Sequence, residues 1–331
     1  MTLEDTGRHP LFAGYSIRHP RPEDAGLLRE LTAASDLAEF GEAEGYSIEE
    51  IQDEWSGIDL DRDAWLIFAP DGTLAGYSSV RDRRHVRLDT EVYVHPGHYG
   101  KGIGTTLIRL SEERAREHIP LAPEHARVVL YNWISGTNEA ARTLLGRQGY
   151  VPMRYFRRME IELDAPPPPP EWPAGISVRR FVPGEDERRY FEVSEEAMSD
   201  HWGHVHTEFE TWKQRRMGAT FDPSLWFMAE ENGEPAGFML GSVVEGIGWV
   251  DLLGVRRPWR KHGLGMALLR HAMHVFHQRG IRRVALGVDT ESPTGATRLY
   301  ERAGMHVAQQ HATYGKELRP GEDLSALDDE D

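Results

Sequence analysis

The sequence predicts an α/β (α+β) protein of two tandem domains, each a mixed, mostly antiparallel sheet flanked by helices. Three observations carry that expectation. The 331-residue chain repeats itself: Arg18 matches Arg179, Pro22 matches Pro183, Trp65 matches Trp226, and Gly102 and Gly104 match Gly263 and Gly265, all at one offset without a gap. Two long repeats indicate a duplicated domain rather than a solenoid. Within each copy, apolar runs meet at tight turns, Pro70-Asp71-Gly72 and Asn232-Gly233, so strands join mainly as hairpins. Helical crossovers occur only around a glycine turn, which favours a mixed sheet over a doubly wound parallel one. Finally, prolines 166–170 form an uninterrupted run that donates no backbone hydrogen bond and reads as a stiff spacer.

The expected organisation is a flexible arm at 1–14, a first domain at 15–163, a proline-rich linker at 164–175, a second domain at 176–318 and an acidic disordered tail at 319–331. In the first copy the pattern predicts a strand at 15–18 and a helix at 21–34 with Pro22 early and Leu27, Leu28 and Leu31 on one face. A second helix is expected at 48–55, a hairpin at 64–69 and 74–80, and a strand at 85–94 leading to Tyr99-Gly100-Lys101-Gly102-Ile103-Gly104. A helix to about 118, a strand at 127–131, a helix at 135–147 and strand material at 150–163 complete it. The second copy repeats the series: strand 176–181, helices 185–198 and 207–217, hairpin 225–244, strand 250–255, a helix from about 263, strand 283–288, helix 294–303 and strands over 306–318. Past the glycine turn the offset shortens, pairing Leu144 with Leu299 and Gly149 with Gly304.

Composition narrows the classes of function. The formal charge of −16 disfavours nonspecific nucleic-acid binding, although six acids sit in the last eleven residues alone. With no cysteine there is no disulfide framework, thiolate nucleophile or Cys-ligated zinc. No apolar run reaches membrane-spanning length and no basic-then-apolar leader opens the chain, so a soluble cytoplasmic protein with no membrane partner is expected.

The chemistry concentrates at Arg260-Lys261-His262-Gly263-Leu264-Gly265-Met266, between the strand that ends near Leu253-Gly254-Val255 and the following helix. Backbone N–H groups at a helix start, the positive end of the helix dipole and glycines without a Cβ make a seat for a pyrophosphate. A glycine turn alone also serves as ordinary punctuation before a helix. This one is neither the nucleotide-hydrolysing P-loop nor the dinucleotide fingerprint. It resembles the R-x-x-G-x-G acyl-CoA signature of the GCN5-related N-acetyltransferase (GNAT) family. The stretch 292–305, opening at Ser292 and containing Leu299-Tyr300 before Gly304, is similar to that family's second signature.

The resemblance spans both copies, making a tandem-domain GNAT protein, and is stronger in the second. It implies acetyl-CoA as cofactor, held by residues 253–255, 260–266, Ser292 and Tyr300, with a second seat at Gly100, Lys101, Gly102, Ile103 and Gly104. It implies direct transfer to a primary amine, an oxyanion contact from a backbone N–H near 253–255, and Tyr300 as proton donor to the leaving thiolate. Copy one has Tyr99 where copy two has Arg260 and Leu145 where copy two has Tyr300, so catalysis is expected in the second domain. Asp251, on the strand leading to the oxyanion position, is the base candidate. Asp200, His201 and Trp202 fall where the family shapes its acceptor pocket, and a small-molecule amine is the expected acceptor. His201, His204 and His206 lack a zinc-protease spacing, so no metal is expected there. The competing expectation is a non-catalytic acyl-CoA-binding or sensing protein.

Overall fold

The computed structural model of the chain describes residues 14–43, 46–199, 201–202, 204, 206–218, 220–292 and 295–324. They form two units: one from the chain up to Arg154 plus the segment from His311, the other from Tyr155–Gln310. The first contains strands β1 (Ser16–Arg18), β2 (Ala64–Phe68), β3 (Leu74–Arg83), β4 (Arg87–Val94) and β5 (Val128–Ser135). Its helices are α1 (Ala25–Phe40), α2 (Ile48–Ser56), α3 (Leu60–Asp63), α4 (Ile103–Arg116) and α5 (Glu139–Arg147). After β6 (Val151–Glu162), the second contains β7 (Ile176–Arg180), α6 (Glu187–Met198), α7 (Phe209–Arg216), β8 (Phe227–Glu231), β9 (Glu234–Val244) and β10 (Ile247–Val255). It continues through α8 (Leu264–Gln278), β11 (Arg283–Asp289) and α9 (Ala296–Arg302), and β12 (His306–Arg319) ends the series.

Each sheet is mixed, as expected. In the first unit the order is β1-β2-β3-β4-β5-β12, with β4 and β5 parallel and the other pairs antiparallel. In the second it is β7-β8-β9-β10-β11-β6, with only β10 and β11 parallel. Here the structure departs from the domain limits read from sequence. The strand at the end of copy one, β6, pairs from Phe156 onward with β11 of the second unit. The strand at the end of copy two, β12, pairs from His311 onward with β5 of the first. The last strands of the two repeats are thus exchanged. Alternation of side chains marks a segment as strand without naming its partner, so this exchange leaves no trace in periodicity.

Duplication extends to buried polar detail. Arg18 grips Asp24 through two bonds of 2.6 and 2.7 Å, and Arg179 grips Asp186 at 2.6 and 2.8 Å. Both carboxylates are buried at the start of the first helix of their unit. Tyr190, Phe227, Phe238 and Phe276 are fully buried in the core of the second unit, each stabilising it by about 1.5–3 kcal/mol.

The linker is seated rather than free. Trp172 meets the His271 ring edge-on at 5.6 Å and Glu171 pairs with Arg270 at 3.0 Å, which lays it along α8. Residues 319–324, expected in the disordered tail, are held by backbone bonds: Arg127 N–H donates to the Glu322 carbonyl at 2.7 Å and Glu322 N–H to that of His125 at 2.8 Å. Residues 1–13 of the arm and 325–331 of the tail lie outside the described residues.

Candidate active site

In the second unit β10 and β11 pair only at Gly248 with Val284 and Trp249 with Ala285, then separate. On the other edge β10 stays paired to β9 as far as Val255, but a bulge at Asp251 interrupts the register. Such a bulge bends one strand away from its neighbour. Arg256 N–H donates to the Ala236 carbonyl on the β9 side. Strand alternation therefore turns the N–H groups of Leu253 and Val255 toward the open side. Gly254 is needed for packing, since a Cβ there would meet the Phe238 ring at 2.4 Å.

The glycine turn follows directly. Gly263 takes φ +88° as the residue capping α8, with no side chain covering the helix end. A left-handed backbone is open to glycine at little cost, and the N–H groups of Leu264, Gly265 and Met266 are left without intrahelical partners. Lys261 is also left-handed at φ +68°. Arg260 donates through Nε to the Val255 carbonyl at 2.9 Å, joining strand end to turn. Lys261, His262 and Gly263 are exposed. Exposed basic side chains beside helix-start N–H groups are the kind of chemistry that a pyrophosphate requires.

The same turn exists in the first unit. Gly100 and Gly102 both have φ +75°. Tyr99 has φ −59° and ψ 151° where Arg260 has −67° and 152°. The backbone conformation over Gly100, Lys101, Gly102, Ile103 and Gly104 therefore matches that of the second turn, and the two turns differ in their side chains. Leu144 packs on Gly104 as Leu299 packs on Gly265, which brings the second-signature helix against the glycine turn in each unit. The next residue separates them: Leu145 is core at 1% exposure, whereas Tyr300 is buried at 8% with no partner for its hydroxyl among the described residues. Burial pushes the Tyr300 phenol up to about 12, so it holds its proton at neutral pH. Ser292 lies in the turn before α9, donating its N–H to the Asp289 carbonyl at 3.2 Å.

Asp251 is exposed and accepts a hydrogen bond from the Ser242 hydroxyl at 3.0 Å. Nearby, the Arg158 guanidinium lies over the Trp249 ring at 4.6 Å. Phe156, two residues away on the same face of β6, meets Trp202 at 6.3 Å. Sequence reasoning named Trp202 and missed Phe156 and Arg158, because both come from the exchanged strand. His201 is half-buried; Asp200 lies outside the described residues. His204 and His206 face one carboxylate, Glu195, at 3.4 and 2.9 Å. Burial raises the Glu195 carboxyl, but the bonds and charges of these histidines with the Thr207 N–H outweigh that and hold it low.

The first unit holds a second cluster that the sequence did not point to. On one face of its sheet Tyr77 stands opposite Tyr93, Ser79 opposite Glu91 and Arg81 opposite Asp89. Trp55 from α2 donates to the Tyr77 hydroxyl at 2.9 Å. Arg81 pairs with Glu54 at 3.9 Å, and Arg83 and Arg87 with Asp89 at 2.7 and 3.0 Å. Among the described residues the Glu91 carboxyl has no such partner. Burial, reinforced by the charge of Glu54, pushes it up to about 8. Glu91 lies beyond Thr90, where β4 and β5 cease to pair.

A strand pair that opens beside a glycine turn, repeated in two units, is the arrangement expected of an acyl-CoA-dependent transferase. The Acetyltransferase (GNAT) family profile matches residues 28–150 and 187–305; the chain belongs to this family, is an acetyltransferase and uses acetyl-CoA as cosubstrate. It resembles mycothiol synthase in its tandem arrangement. It is 33% identical over 242 residues to a mycothiol acetyltransferase of Thermomonospora curvata, covering 72% of this chain and 77% of that protein. Among solved structures it is similar to a GCN5-related N-acetyltransferase from Sphaerobacter thermophilus, at 43% identity and TM-score 0.84, covering 96% of this chain and all of the other. A tandem GNAT protein from the clavulanic acid pathway shares the fold at 16% identity and TM-score 0.71, over 93% of this chain and all of the other. Among the described residues no helix is long and apolar enough to cross a membrane.

Proposed function

We propose that the second unit transfers the acetyl group of acetyl-CoA directly to the primary amine of a small molecule. The observation that carries this is Tyr300, whose hydroxyl has no partner among the described residues and which stands on the helix packed against Gly265. The neutral amine attacks the thioester carbon, and the N–H of Leu253 or Val255 stabilises the developing oxyanion. The Tyr300 hydroxyl gives its proton to the departing thiolate. Asp251 receives the amine proton through water, with Ser242 orienting its carboxylate. Trp202, Phe156 and the stacked Arg158–Trp249 pair border the acceptor. The name carried by the curated relatives, mycothiol acetyltransferase, supports a small-molecule acceptor over a protein.

A second reading is favoured by Glu91: the first unit carries out transfer itself, with this carboxyl as base. Steady-state turnover over a panel of primary amines separates the two. With the second unit catalytic, Asp251→Asn is expected to lower kcat about 100-fold and Glu91→Gln to leave it within about twofold. The reverse result, with a kcat/KM profile that rises through about pH 8 and flattens in Glu91→Gln, assigns the chemistry to the first unit. Acetyl-CoA binding without transfer to any amine would support a sensing protein instead.

A further inference from the structure

At the end of the first sheet remote from the glycine turn, three side chains of ligand type converge. Asp82 lies near the end of β3, His85 in the turn to β4, and His118 just after α4. His85 Nδ1 is 2.9 Å from His118 Nδ1 and 3.0 Å from Asp82 Oδ2, while His118 Nδ1 is 3.7 Å from Asp82 Oδ1. Ligands about 2.0–2.1 Å from a tetrahedral zinc stand roughly 3.3 Å apart, and here one ligand atom from each of the three residues lies within 4.8 Å of the other two. His118 is buried at 7% exposure.

Hydrogen bonding alone serves this arrangement poorly. A neutral imidazole has one N–H, so a single Nδ1 proton on His85 would have to be shared between His118 and Asp82 in a weaker three-centre bond. A cation at the centre satisfies all three. The Asp82 carboxylate is already oriented, accepting the His85 backbone N–H through Oδ1 at 2.6 Å. The neighbouring cation Arg114 is compensated by Asp63 and Glu117, each at 2.7 Å. Nor does the fold require the trio: the matching positions of the second copy are Val243, Gly246 and Arg279, around which the same hairpin and helix form.

We propose that Asp82, His85 and His118 bind one divalent cation of the zinc class, with water in the fourth position, tying the β3–β4 turn to the end of α4. Imidazole with carboxylate suits zinc among the common divalent ions.

The test uses the full-length protein stripped of metal with a chelator, titrated with Co²⁺ as a spectroscopic probe and then with Zn²⁺. The expected result is one Co²⁺ per chain giving the visible bands of a four-coordinate ion, displaced by Zn²⁺. Affinity should fall at least tenfold in both His85→Gln and His118→Gln. His85 is partly exposed, so its variant is expected to keep the wild-type circular dichroism spectrum and melting curve, which separates lost ligation from lost fold. His204→Gln/His206→Gln, at the other histidine cluster, should retain the bands. Absence of the bands in wild type, their survival in His85→Gln, or their loss only with the His204 and His206 changes would overturn the proposal.

Discussion

Replacing Tyr300 by phenylalanine is expected to lower kcat about 100-fold or more while changing acetyl-CoA affinity less than twofold. The ring is core, so phenylalanine keeps its packing, and the hydroxyl has no partner among the described residues, so its removal strands none of them. What is lost is a proton donor in the step that expels the thiolate, an effect typically of 10²–10⁴ in rate. Burial holds the phenol near 12, so the donor remains protonated across the working pH range. Isothermal titration with acetyl-CoA beside steady-state kinetics gives both numbers. Unchanged turnover would remove Tyr300 from the mechanism, and a parallel fall in affinity would make its role one of cofactor seating.

Asp186→Ala is expected to destabilise the protein by about 2–3 kcal/mol. Its carboxylate accepts two bonds from Arg179 and one from the Val182 N–H, and the substitution leaves these donors behind. The cost is set below that of a fully buried pair, because Arg179 is one-third exposed and keeps Glu230 at 3.0 Å. Burial alone would raise the Asp186 carboxyl, but the Arg179 bonds and the Val182 N–H hold it below the ordinary aspartate value. A lowered folded-state pKa contributes stability that is complete above the unfolded value, about 4, and is lost as pH falls through the folded one. Denaturant melts at pH 7 and pH 3 should therefore show a smaller gap between wild type and variant in acid. An equal gap at both would show that packing rather than charge accounts for the loss.

The features most legible in the sequence are those that local chemistry dictates. Gly102 and Gly263 adopt the left-handed backbone that a glycine at a helix start suggests, and the shared offset aligned Tyr99 with Arg260, residues whose dihedral angles agree closely. Leu145 and Tyr300 were matched through the shorter second offset, and each lies on a helix packed against its glycine turn. What escaped depends on partners distant in sequence. The exchange of β6 and β12 placed Phe156 and Arg158 in the second unit, although they belong to the first repeat. Glu91 reads as one more acid in an alternating strand. Only the pairing of Arg81 with Glu54, and of Arg83 and Arg87 with Asp89, shows that among the described residues these arginines make their ion pairs with other acids. Likewise Glu195, which gathers His204 and His206, lies on α6 at no recognisable spacing from them.

The central claim, that the working acyl-CoA seat is in the second unit, is tested most directly by calorimetric titration of acetyl-CoA into wild type, Gly263→Trp and Gly102→Trp. Tryptophan at either glycine meets a left-handed backbone and projects over the helix start. The expected result is a productive site lost in Gly263→Trp together with transfer activity, while Gly102→Trp keeps the activity and at most loses a second, independent site. Activity and binding retained in Gly263→Trp and abolished by Gly102→Trp would contradict the claim and move the active site to the first unit.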